Sequence, residues 1–139
     1  MAFTTSMKDA AHRHHDAANK LHDENKRAAA AYLYGLAAEC AVKALLEKQG
    51  VRPQADARKS DPYYAHFPEL RALLEDTVRG RGAALFNPFL RASFMNEWDI
   101  TLRYAPNREI IGDEDGRVRR YDRWKTDANT AISQMQAYL

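Results

Sequence analysis

Glu39 and Lys43 stand four residues apart in the most apolar stretch of the chain, AAAAYLYGLAAECAVKALL (28–46). That spacing puts both charges on one helical face, with the acid N-terminal, the favourable order. A solvated stripe of this kind contributes a few tenths of a kcal/mol. The wheel neighbours Tyr32, Leu36 and Cys40 are apolar, however, and a buried, unpaired charge costs about 3–5 kcal/mol. Three arrangements follow: a buried structural pair, a wet stripe, or a ligand site. If the stripe is covered, Glu39 needs a cation. Arg103 is the candidate, because a guanidinium binds a carboxylate bidentately; Arg103 could instead pair locally with Asp99. A Glu39–Arg103 pair would join the second helix to the fourth and line a cleft. Lys43, Tyr104 and His66 complete the candidate ligand-binding set, and Arg103 with Tyr104 are the candidate catalytic groups.

The other polar constellations point less sharply to chemistry. HRHHDAANKLH (12–22) places His12, His15 and His22 loosely on one side of a helix. A metal needs converging ligands at fixed spacing, and no HExxH or cysteine pair is present, so these read as histidines on a wet face. His14 falls on the apolar face and reads as a packed, hydrogen-bonded residue. DEDG (113–116) lacks the remaining spacing of a calcium loop and reads as a surface turn. Arg117, Arg119, Arg120, Arg123 and Lys125 interleave with Tyr121 and Trp124; basics among aromatics can hold a nucleic acid strand, although both aromatics also fit the core period. The lone Cys40 reads as an inert buried thiol and fits a reducing, cytoplasmic setting. No metal site and no cofactor are expected.

These residues need a scaffold. A chain of 139 residues with 45% apolar content makes one domain, 1–139, and a formal charge of +2 argues against a strongly electrostatic nucleic-acid binder. The N-terminus lacks the apolar core of a secretory signal. The 28–46 run is long enough for a bilayer, but its two charges argue for a core helix and against a membrane.

The pattern predicts an all-α, up-and-down bundle of about five helices with a long antiparallel hairpin at its N-terminus. Ser6 caps the first helix, to about Asp23, with Met7, Ala10, Ala11, Ala17, Ala18 and Leu21 on its apolar face. The second runs from about Asn25 to Gln49 and stops at Gly50. Its mid-helix Gly35 costs about 1 kcal/mol relative to Ala, which a close crossing would offset. Residues 51–65 read as a loop. The third helix runs from Pro68 to about Arg79. The fourth opens at Asn87 and Pro88 and continues to Pro106, carrying Leu90, Phe94 and Trp98. The last, about 118–137, carries Tyr121, Trp124, Ala128, Ala131, Ile132, Met135 and Tyr138 on one face.

The series HHDAANKLHDENKRAAAAYLYGLAAECAVKALL resembles the opening helical pair of HEPN domains (higher eukaryotes and prokaryotes nucleotide-binding). The matching positions are Asp16-Ala17, Leu21, Ala30, Tyr32, Leu33, Gly35, Ala37, Glu39, Cys40, Ala41, Lys43 and Ala44. HFPEL (66–70) is similar to the family's His-Asp-Leu start of a third helix, and WDITLRYAP (98–106) to the end of a late helix. The resemblance implies a helical bundle, often a homodimer, often partnered with a minimal nucleotidyltransferase. It also implies binding of nucleotide or RNA, with toxin–antitoxin roles. Many members cleave RNA with an Arg followed four to six residues later by His; here no histidine follows His66. The expected function is therefore a binding or regulatory module for nucleotide, RNA or a protein partner. The alternatives are an unconventional ribonuclease at a dimer cleft and a structural protein whose groove takes another helix.

Overall fold

Ser6 opens the first helix as its position predicts: its hydroxyl accepts from the Asp9 N–H at 3.3 Å. The computed structural model of the chain describes residues 4–51, 62–77, 83–112 and 120–139. Helix α1 is Met7–Asp23 and α2 is Arg27–Lys48. Between them the chain reverses through Asn25, whose φ of 62° is the left-handed region that asparagine tolerates. The Lys26 N–H closes the turn on the Leu21 carbonyl at 2.8 Å.

The two helices form an antiparallel hairpin and share the most extensive contact in the molecule; α6 (Arg120–Tyr138) covers another side of α2. Ala11 and Ala18 of α1 and Ala30, Ala31, Ala37, Ala38 and Ala41 of α2 are fully buried. Their short side chains are what allow backbones to approach. Helix α2 is long and apolar enough to cross a bilayer, but most of its apolar length is covered by its own chain.

Helix α3 is Glu69–Thr77, entered through a 3₁₀ turn at Pro62–Tyr64 and a cis Phe67–Pro68 bond. Helix α4 is Ala83–Leu90, and α5 is Asn107–Ile111. The architecture is all-α, with no strand among the described residues. The core joins Leu70, Leu74, Phe86, Phe89, Phe94, Trp98, Trp124 and Met135 against α2.

Four expectations about the fold need correction. The long fourth helix from Asn87 to Pro106 does not form. Helix α4 starts earlier and holds Pro88 in its interior, and residues 91–97 run as turns. A 3₁₀ helix, Ile100–Tyr104, then follows. The physical reason is a tertiary capture. The buried Asp127 of α6 accepts the Met95 N–H at 2.8 Å, and Trp124 Nε1 donates to the Asn96 carbonyl at 2.8 Å. Met95 and Glu97 then take φ of 50° and 70°, which no α-helix contains.

Second, Asn107–Ile111 is helical, where no element was expected; Pro106 precedes it and Gly112, at φ 74°, ends it. Third, His15 and His22 do not lie on a wet face. His15 Nε2 meets Asn129 Oδ1 at 2.7 Å and His22 Nδ1 meets the Tyr121 hydroxyl at 2.6 Å, tying α1 to α6. Tyr138, expected on the core face of α6, is exposed. The acidic turn 113–116 and the basic residues Arg117 and Arg119 lie outside the described residues.

Candidate functional site

Gly35 fixes the centre of the site. A Cβ there would overlap the indole of Trp98, so only glycine lets the ring lie on the α2 backbone. Trp98 Nε1 donates to the Ala31 carbonyl at 3.0 Å, and its ring stacks on Tyr32 with centroids 6.4 Å apart. The close crossing expected at Gly35 is thus made by a side chain rather than by a helix. This contact seats the segment that carries Asp99, Arg103 and Tyr104 against α2.

Glu39 is 2% exposed, so the charge stripe is covered. Its cation is not Arg103, and that expectation is overturned. One carboxylate oxygen accepts the Phe67 N–H at 2.8 Å and the other meets His66 Nδ1 at 2.9 Å. The two residues entering α3 hold the acid because they present a backbone donor and a ring donor together. His66 remains 43% exposed. With Nδ1 engaged by the carboxylate, Nε2 is the ring nitrogen left for outside partners, an arrangement that can hold or move a proton.

Lys43, one turn on, is 6% exposed and forms no ion pair among the described residues. Its ammonium is not among the buried unpaired atoms, so the stem is packed while the head reaches water. Burial pushes the neighbouring Cys40 thiol up to about 11, which keeps it protonated and unreactive.

Arg103 lies elsewhere, at the end of the 3₁₀ helix, with its guanidinium 4.8 Å above the ring of Tyr104. Tyr104 is 78% exposed. Asp99 does not pair with Arg103 either. It caps its own helix, accepting from the Thr101 hydroxyl at 2.7 Å and the Thr101 N–H at 2.9 Å. Those bonds hold the Asp99 carboxyl below its usual range, with a smaller contribution from the charge of His66.

Beside Arg103 runs a groove of about 400 Å³, lined by Ala28, Tyr32, Leu33, Leu102, Arg103 and Asn107, among others. One end meets the first turn of α2, where the N-cap residue Lys26 supplies no side-chain hydrogen bond. The predicted site residues therefore fall into two groups along α2. Arg103 and Tyr104 sit by the Leu33 end, and Glu39, Lys43 and His66 lie further on. Leu33 and Glu39 are six residues apart, about 9 Å along the axis.

A larger hollow, about 510 Å³, lies at the far end of α2 between Met7, Glu47, Val51, Tyr63 and Tyr64. Its described lining includes none of the predicted residues. Among the described residues no three His, Cys, Asp or Glu converge as a metal site. Two residues of consequence were missed in the sequence. Asp127 follows the helical period of Trp124, Ala128 and Ala131, which marked it for burial. Asn107 carried no periodic signal at all.

No protein-family model matches the chain, no curated protein matches it in sequence, and no solved structure matches it in fold.

Proposed function

We propose that the chain is a HEPN-like module that binds single-stranded RNA or a nucleotide in the groove beside Arg103. One observation carries this: the Arg103 guanidinium lies on the exposed Tyr104 ring and, among the described residues, is paired with no carboxylate. A stacked guanidinium keeps its N–H edge for phosphate, and an exposed aromatic face takes a base. The groove volume suits one nucleotide unit, and the first turn of α2 at its end favours negative charge.

Fluorescence polarisation with a labelled oligoribonucleotide tests the reading. Binding should weaken with salt at a shallow slope, about −0.7 per phosphate contacted. Arg103→Ala should flatten that slope, and Tyr104→Ala should weaken binding by the equivalent of about 1–3 kcal/mol. Binding unmoved by either substitution would refute the site.

A second reading, RNA cleavage, is favoured by the Glu39–His66 pair, because a carboxylate on Nδ1 orients an imidazole as a general base or acid. Incubating the same oligonucleotide with the wild type and His66→Gln separates binding from chemistry. Products that appear equally with both proteins would remove this reading.

A further inference from the structure

Three charged side chains are buried among the described residues: Glu39, Lys43 and Asp127. Glu39 and Asp127 each accept a buried backbone N–H. Lys43 has no hydrogen bond and no ion pair among the described residues. It also differs from Lys8, Lys20, Lys26 and Lys48, which are exposed. Its stem is held by packing while its head, at the surface, meets no acid of the described chain.

The position of Lys43 is tied to the groove beside Arg103. Between Ala28 and Leu46, α2 is buried except for one strip: Ala28, Tyr32, Leu33, Leu36 and Cys40 are half-buried, and Ala29 is exposed. At about 100° per residue these fall on one side of the helix. Ala29, Leu36 and Lys43 are spaced by seven residues, so they lie nearly in line. Ala28, Ala29, Tyr32 and Leu33 form the α2 wall of the groove. The strip therefore leaves the groove, passes over Leu36 and Cys40, and ends at Lys43.

We propose that Lys43 is a second phosphate subsite on the surface that begins at Arg103, so that the ligand is a single strand spanning both cations and not a mononucleotide. The inference rests on the nucleotide-binding reading of the Arg103 groove. Leu33 and Lys43 are ten residues apart, about 15 Å along the axis. Side chains on a helix lean toward its N-terminus, which shortens the span to the ammonium. At about 3.4 Å per stacked nucleotide, roughly four steps cover that distance, and an extended strand needs fewer. The surface between the two cations is apolar and suits the faces of bases and sugars. Glu39, beside the strip, is 2% exposed with both oxygens engaged, so it presents no bare carboxylate to a phosphate. Glu47, one turn past Lys43, is exposed and lines the other hollow. Its charge repels a phosphate and ends the track at Lys43.

The test is fluorescence polarisation with a labelled dinucleotide and a labelled octanucleotide of uridine, each titrated over a range of salt. The log–log salt slope of the octamer should be steeper by about 0.7, which over a fourfold rise in salt is a further loss of about 2.6-fold. Lys43→Met keeps an unbranched apolar stem and removes the charge. It should return the octamer slope by about 0.7 and leave the dinucleotide unchanged. Lys43→Arg should keep the wild-type slopes. Lys48→Gln, about 140° round the helix from Lys43, should move neither slope. Circular dichroism of each variant checks that it folds. Equal slopes for the two probes on the wild type, a comparison that needs no variant, would overturn the inference and leave the groove as a site for one nucleotide. An octamer slope unmoved in folded Lys43→Met would overturn it too, leaving Lys43 as a packed stem with its head in water. So would equal weakening of both probes, since Lys43 would then act on the groove itself. Absence of salt-dependent binding to either probe would remove the underlying reading together with this one.

Discussion

Glu39 shows how a buried charge selects its partners. The carboxylate is dry, and both oxygens are satisfied at the entry to α3. Glu39→Ala should lower stability by about 1–3 kcal/mol, because the Phe67 N–H is then buried and unpaired. Arg103→Ala should change stability by less than about 0.5 kcal/mol, the usual effect at an exposed position. Parallel thermal unfolding of the two variants checks the assignment; equal losses would restore Arg103 as the partner. His14 supplies a pH signature. Burial, and secondarily the charge of Arg13, lowers its pKa from 6.5. The unfolded chain then binds more protons than the folded one just below that value, so stability is complete above about pH 6.5 and declines as pH falls through the folded value. His14→Gln should flatten that part of the curve in denaturant titrations at stepped pH. The acid at 39 was legible as covered, since its wheel neighbours are apolar. Its partner was not, because His66 is distant in sequence and the bond depends on how the chain enters α3.

Elements were legible where local and tertiary preferences agree. The α1–α2 hairpin follows from Ser6, from the alanine faces and from Gly50. The segment after α4 was not legible, because its aromatic spacing fits a helix while Asp127 pulls Met95 out of one. Asp127→Ala should cost about 1–3 kcal/mol by orphaning that N–H; Asp127→Asn keeps an acceptor and should preserve the turn. Burial raises the Asp127 pKa above 3.8, against smaller opposing effects from the Met95 N–H, Arg91 and Arg123. The folded state therefore holds the proton longer, and this group's contribution falls as pH rises from about 4 through the folded value. Asp127→Asn should remove that slope, measured by urea unfolding across the acid range. Gly35→Ala belongs to the same scale. It gains about 1 kcal/mol of helix propensity but forces the Trp98 ring off α2, and overpacking of this kind costs about 1–3 kcal/mol. A net loss of stability is expected, with a shift in the near-ultraviolet circular dichroism of tryptophan. An unchanged spectrum would mean the ring is not seated on the glycine.

At the scale of the molecule, one helix organises the rest. Contacts to α1, α6, α5 and the 3₁₀ helix all converge on α2, and polar rungs from α1 to α6 close the far side. The fold class could be read from the sequence because a helix apolar on every side demands neighbours on every side. The groove could not, because its walls come from segments whose local pattern is silent: Leu102 and Arg103 from a short 3₁₀ helix, Asn107 and Ile110 from a five-residue helix. The chain has two tryptophans, and both are sealed from solvent. Trp98 stacks on Tyr32, which is itself part of the groove wall. The molecule therefore carries an internal optical reporter: an occupant pressing on the tyrosine would alter the emission of the indole behind it, with no dye attached.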